Sequence, residues 1–537
     1  MLTSIGVKNL RSFSEHTRIE LKPITVFIGR NSSGKSSLIR LFPLLRQSFE
    51  TTTTGPILWY GTFVDYGDFN QAISKSNNDD GLIELNFGLT CDTAPRLRRH
   101  KEGIEKRFPS LNFDLSLAIT ESNQKTITES ISYTIDETKL TIIPNYSESS
   151  AIIISENESF YFEKEYILDA IMDDKFFPTL YWPSNGENKR TLKDSEWADG
   201  DPFTPFTDFG FRRRQRSAER QHNIIICQSA ADAVKDYFHH SASKENIAKE
   251  LSYIRSHSKD RLEHGLRAVF SKHSTFIRNL NNPELNQEII EILHAFMLVK
   301  NYNSTSSMLN ENLKSSFSSI KYLGPIRANT ERYYRFQDFQ VEEMDHTGSN
   351  LAMILNSFPE QEKQNFQSWT LDNFGFVVSI SVVGSHYAIK IKTVQDTDEH
   401  NISDMGFGYS QVLPIIMSIW LEMQNLESND EEVIFVIEQP ELHLHPAYQA
   451  NVAKLFAKVI SAAKENSKNI KIIFETHSQS MIDALGEAIE NKTIDKDDVS
   501  VIIFDKTKEK GTLATNALFD DEGYFVNWPV GFFSGNQ

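Results

Sequence analysis

The chain has 537 residues, 39% hydrophobic and 24% charged, with two cysteines and a formal net charge of −18. That length exceeds one ordinary hydrophobic core and predicts two or three lobes. The charge excludes a general affinity of the whole surface for nucleic acid or anionic membrane, leaving only local basic patches, and Cys91 and Cys227 cannot build a disulfide framework, which fits a reducing compartment.

No apolar run reaches the roughly 20 residues of a membrane-spanning helix. The start, MLTSIGVKNLRSF, lacks the apolar core of a signal peptide. A cytoplasmic protein without membrane attachment is the expectation.

In chain order, SIGVKNLRSF alternates as a strand and PITVFIG is an apolar strand. GRNSSGKSS follows as a loop. SLIRLFPLLRQSF continues as a helix that Pro43 should kink or shorten. Short alternating stretches between residues 111 and 165 predict antiparallel sheet. TLKDSEWADGDPFTPFTDFG reads as a long loop, and residues from about 225 to 315 show helical periodicity. Beyond Lys321, FGFVVSISVVG and HYAIKIKTV pair as strands. The apolar strands VIFVIEQP and NIKIIFETHS then alternate with the helices SQVLPIIMSIWLEMQNL and AYQANVAKLFAKVISAAKE. Such alternation implies a mainly parallel sheet covered on both faces. The expected division is 1–165 for the first part of an α/β head with antiparallel β, 166–320 for a helical insert, and 321–537 for the rest of the head.

GRNSSGKS matches G-x-x-x-x-G-K-[ST] in full and sits where that pattern needs to sit, between an apolar strand and a helix. Gly29 and Gly34 let the backbone wrap so that successive amides point at phosphate oxygens. The expected nucleotide-binding set is Gly29, Arg30, Asn31, Ser32, Ser33, Gly34, Lys35, Ser36 and Ser37. Lys35 would reach the β- and γ-phosphates of ATP, and Ser36 would ligate Mg2+.

Three further motifs aim at the same place. VIFVIEQPE ends a strand on Glu438, and ligands of open α/β sheets gather at carboxyl ends of strands. That acid would hold magnesium through water. FETHS delivers His477 to the same edge as a γ-phosphate contact. In ISDMGFGYSQVLPI, Gly406 and Gly408 precede a helix and offer a second set of exposed amides. A second anion site in a chain that already has a phosphate loop suggests a nucleotide shared between two subunits.

These motifs in this order resemble the ABC-type ATPase heads of SMC, RecF and overcoming-lysogenization-defect proteins. The resemblance covers roughly residues 1 to 90 and 320 to 537. YLGPIRANTERYY, DMGFGYSQVLP, EQPELHLHPAYQA, ETHSQ and WPVGFF look most similar to the PtuA ATPases of Septu-type antiphage systems, including retron-associated copies. The resemblance implies an ABC-type P-loop ATPase head: a mixed sheet flanked by helices, an antiparallel β subdomain and a helical insert. It implies two ATP molecules sandwiched in a homodimer or higher homo-oligomer. Gly406, Phe407 and Gly408 would face the partner's γ-phosphate, and Glu438 and His477 would take the Walker B and switch-histidine positions. It also implies an HNH nuclease partner and, for retron-associated copies, a reverse transcriptase with its RNA–DNA product.

The sequence departs from the family's pattern at three points. Gln439 stands where the usual general base is a glutamate, and a glutamine cannot accept that proton. Glu441 could substitute; otherwise ATP binding rather than turnover would be the signal. Phe407 replaces the signature serine, with Ser410 as a possible stand-in. Gln71 is the candidate for the glutamine that approaches the metal. The alternatives are therefore a nucleotide-gated scaffold with little hydrolysis and a RecF- or SMC-like DNA repair ATPase. A transporter's nucleotide-binding subunit is disfavoured by the insert and by ELHLHP.

Basic clusters at Arg212, Arg213, Arg214, Arg216 and Arg220, and at Arg96, Arg98, Arg99 and Lys101, could neutralise phosphates of DNA or RNA or could be solvated faces. In IRANTERYYR, phosphate contact or internal pairing near the nucleotide is preferred over nucleic-acid stacking. His443 and His445 of HLHP are read as structural, because two histidines two apart share no helix face.

Overall fold

The computed structural model describes residues 1–75, 81–92, 110–157, 166–171, 176–181, 223–325, 327, 331–335, 343–384, 386–424, 432–507 and 511–527. The chain forms two compact units, Met1–Glu84 with Leu313–Gln537, and Leu85–Asn312.

The first unit is built on a six-stranded sheet in the order Ile320–Leu323, Val433–Glu438, Ile470–Glu475, Ile24–Gly29, Val499–Thr507, Gly511–Ala517. The first five strands run parallel and the last closes an antiparallel hairpin. Every residue of Ile24–Gly29 and Ile470–Glu475 is buried, so both faces of the sheet are covered, as continuous apolar runs require. Helices Phe407–Gln424, Pro446–Glu465 and Gln479–Glu490 supply apolar side chains to that core. A smaller antiparallel sheet pairs Phe376–Val383 with His386–Thr393.

The helix after the phosphate loop is interrupted at Arg40, giving Lys35–Ile39 and Leu41–Glu50. Pro43 explains the break: it has no N–H, and its ring crowds the carbonyl four residues earlier, at Ile39. Within the second helix Pro43 lies in the first turn, where no hydrogen bond is lost.

The second unit contains an antiparallel meander, Ser110–Ser122, Lys125–Ile135, Thr138–Asn145, Ser150–Asn157, Tyr166–Ile171 and Thr179–Tyr181. Two of its turns are two-residue turns with positive φ at both positions, Asn123 (51°) and Gln124 (62°), Asp136 (47°) and Glu137 (67°). This geometry matches strand twist, and the short polar side chains of Asn123 and Asp136 tolerate it at the first position of each turn. Helices Lys244–Ser252, Lys259–Val269, Ser274–Leu280 and Pro283–Lys300 complete the unit. Helix Pro283–Lys300 packs on strands Thr138–Asn145 and Ser150–Asn157, so these strands share a compact unit with the helices. The sequence division at 165 and 166 follows the change from strand to helix pattern, which carries no information about what a strand's buried face meets. No helix among the described residues is long and apolar enough to cross a membrane.

Candidate functional site

The strand Ile24–Gly29 ends in the glycine-rich loop, and Gly34 at φ 104° makes the turn into helix Lys35–Ile39. A side chain at that φ is strained, and a Cβ there would lie 2.7 Å from the Thr512 hydroxyl. Thr512 donates to the Ser33 carbonyl (2.8 Å), so the C-terminal hairpin braces the loop. Lys35 folds back and donates to the carbonyls of Gly29 and Arg30, both at 2.9 Å. Burial lowers its pKa, opposed by Glu475 and then Glu441.

A cleft of about 670 Å³ opens over the loop, lined by Ser32 to Ser37 and by Arg11, Lys75 and Lys506. Gln71 lines it as well, with its side chain folded over Gly67. The buried hydroxyl of Ser33 has no hydrogen-bond partner among the described residues. A cationic cleft with an orphaned hydroxyl, and an ammonium held only by carbonyls, suits a polyanion such as a nucleotide triphosphate.

Two carboxylates arrive at the adjacent strand ends. Glu438 and Glu475 are direct neighbours in the parallel register, and both are buried, at 0% and 1% exposure. Their partners differ. Glu438 accepts a bidentate pair from Arg40, Nε to Oε1 and Nη2 to Oε2, both 2.8 Å, and Tyr322 donates to Oε1 at 2.6 Å. Hydrogen bonding to Glu438 raises the Arg40 pKa, and burial raises that of Tyr322. Glu475 accepts from the Ser36 hydroxyl, at 3.2 Å to Oε1 and 2.9 Å to Oε2. Burial and the nearby Glu438 charge push Glu475 up to about 7. The sequence pairs Ser36 with Glu438 around a metal; the structure instead puts Glu475 beside Ser36 and ties Glu438 to Arg40.

Gln439 follows Glu438 with a left-handed φ of 44°, and its amide donates to the Glu475 carbonyl (3.1 Å). Glu441 Oε1 accepts from the His477 amide at 2.8 Å. Burial raises the Glu441 pKa. The His477 imidazole is held below its ordinary range by burial, then by the Lys35 charge. Loop, acids and His477 thus meet at one sheet edge.

The second glycine loop is in the same unit. Gly406 has φ 85° and open space around it, Phe407 is 61% exposed, and Gly408 packs against the His443 carbonyl. These three present an outward face. Ser410 does not: it is buried, and its hydroxyl donates to the Phe407 carbonyl at 2.7 Å. Position four of a helix start points a serine back at its own turn, so it does not replace the missing signature serine. His445 caps helix Pro446–Glu465 by accepting from the Ala447 amide (3.3 Å).

Arg327 is buried and donates one Nη to the Glu438 carbonyl (3.0 Å), while its Nε and other Nη have no partner among the described residues. Burial lowers its pKa to about 10. Arg332 pairs with Asp404 at 2.9 Å. The clusters at 96–101 and 212–220 and the WPVGFF segment lie outside the described residues. Sequence reasoning missed Arg11, Arg40, Tyr322, Glu475 and Lys506. Only Glu475 had a local signal, an acid at the last position of an apolar strand.

A parallel sheet with a phosphate loop on a central strand and acids on the next two defines a P-loop α/β nucleotide-binding protein. The chain belongs to the AAA ATPase domain family, which it matches over residues 1–482. No curated protein matches it. Among solved structures it is similar to the SMC head domain from Thermotoga maritima, at 10% identity and a TM-score of 0.31 over 96% of this chain and 98% of that one.

Proposed function

We propose that this chain is an ATP-dependent switch: it binds ATP with Mg2+ at the cleft over Lys35, and two copies close on the nucleotide through the loop at Gly406 to Gly408. The observation that carries this is the cradle itself, in which Lys35 donates to two loop carbonyls and the buried Ser33 hydroxyl has no partner among the described residues. Lys35 would leave those carbonyls for the β- and γ-phosphates. The magnesium ion, when bound, would neutralise phosphate charge, with Ser36 as its protein ligand. Head closure would then regulate a partner, which the resemblance to Septu-type ATPases suggests is a nuclease in antiphage defence.

Gln439 supports a second reading in which turnover is slow and the bound state is the signal. Glu441 is the remaining acid on that loop, and its amide contact to His477 links it to the γ-phosphate side.

Lys35→Ala removes the charge-assisted phosphate contact, worth about 1.5–3 kcal/mol. Calorimetric ATP affinity should drop roughly ten- to a hundredfold. Unchanged affinity would reject the ATP-binding reading. Phosphate release separates the other two: robust turnover abolished by Glu441→Gln would reject the slow-switch version.

A further inference from the structure

We propose that Glu475, and not Glu438, is the carboxylate that positions the magnesium-binding hydroxyl of Ser36. This rests on the ATP-binding reading and assigns a role within that same site.

Strand order comes first. The loop grows from strand Ile24–Gly29, whose neighbour is Ile470–Glu475; Val433–Glu438 lies one strand further out. Neighbouring strands are about 4.8 Å apart. Glu475 therefore sits beside the loop's own strand, with Phe27 as its register partner, and Glu438 ends the next strand out.

Hydrogen bonding agrees. Ser36 gives its single O–H to Glu475. A hydroxyl that donates its proton to a carboxylate keeps its oxygen lone pairs for a cation, and the carboxylate fixes which way they point. Glu438 has both oxygens taken, by the bidentate Arg40 guanidinium and by Tyr322, and its charge is matched by Arg40. Turning Glu438 toward Ser36 would break a bidentate pair and strand Arg40.

The two acids thus divide one task. Glu475 orients Ser36. Glu438 is a latch that joins the helix break at Arg40 to strand Ile320–Leu323 through Tyr322.

The test measures ATP affinity by calorimetry with Mg2+ and with EDTA, and takes the ratio within each variant, which cancels general effects on folding. Glu475→Gln should cut the magnesium gain by at least about tenfold, the usual cost of losing a group that orients a metal ligand, with its EDTA affinity near the parent's. Ser36→Ala should do the same, and the double variant should lose no more than either alone. Glu438→Gln should keep the parent's ratio. The proposal is overturned if Glu475→Gln keeps that ratio, or if Glu438→Gln loses it instead. If Glu475→Gln does not fold, Glu475→Asp, one methylene short of Ser36, replaces it with the same two outcomes. A parent that binds no ATP would sink the ATP-binding reading itself, a separate result.

Discussion

The two units bury polar groups in opposite ways. In the head, Glu438, Glu475, Lys35, Arg40 and Arg327 converge on one sheet edge, and two like charges are direct register neighbours. In the insert, several polar side chains are instead set on backbone groups. His294 sits between the Thr138 hydroxyl (2.8 Å) and the His257 carbonyl (3.1 Å). Asn303 both accepts from the Leu180 amide (2.9 Å) and donates to its carbonyl (2.7 Å), and Asn310 does the same to Phe177. Even the Lys300 ammonium is placed on three carbonyls, of Leu251, Ser252 and Ile254. Buried opposed charges cost stability and persist where a ligand needs them; amides set on backbone fasten parts together.

That contrast can be broken in three places. The largest effect should come from Arg40→Ala, which leaves the fully buried Glu438 carboxylate with Tyr322 as its hydrogen-bond donor among the described residues. Loss of one partner from a buried pair costs about 3–5 kcal/mol, readable by urea unfolding; a cost below about 1 kcal/mol, as for surface pairs, would remove the latch.

Next is acid acting on the insert. Burial holds the His294 imidazole down at about 4, below its ordinary 6.5. The unfolded chain therefore takes up a proton between those values that the folded one refuses. Stability is complete above about pH 6.5 and drains as pH falls toward 4, by about 3 kcal/mol in total. The stability gap between parent and His294→Gln should shrink across that window, and a constant gap would contradict the assignment. The smallest effect is Asn303→Ala. It should cost about 1–2 kcal/mol, two neutral hydrogen bonds, with no dependence on pH between 5 and 8.

The phosphate loop was legible because its pattern is local: eight consecutive residues with a strand before and a helix after. The strands Val433–Glu438 and Ile470–Glu475 were legible from apolar runs, and the antiparallel strands of the meander from alternation. What stayed hidden depends on partners distant in sequence. Nothing near Arg40 announces Glu438, and nothing near Ser36 announces Glu475. Pro43 was read as a kink, yet the break it causes falls at Arg40 and frees that side chain to reach the sheet edge. FETHS was read for its histidine, so the acid two residues earlier went unused. Motif position says nothing about which way a helix start turns, and so did not reveal that the buried Ser410 hydroxyl donates to the Phe407 carbonyl.

The central strand Ile24–Gly29 is flanked by Ile470–Glu475 and Val499–Thr507, two segments that follow it far along the chain. A ribosome would emit the phosphate loop hundreds of residues before either neighbour exists, while the meander and its helices can close on themselves in between. Pairings that distant in sequence are slow to form. During translation the apolar strand that carries the loop waits for both of these neighbours, while the compact unit between them can already close on itself.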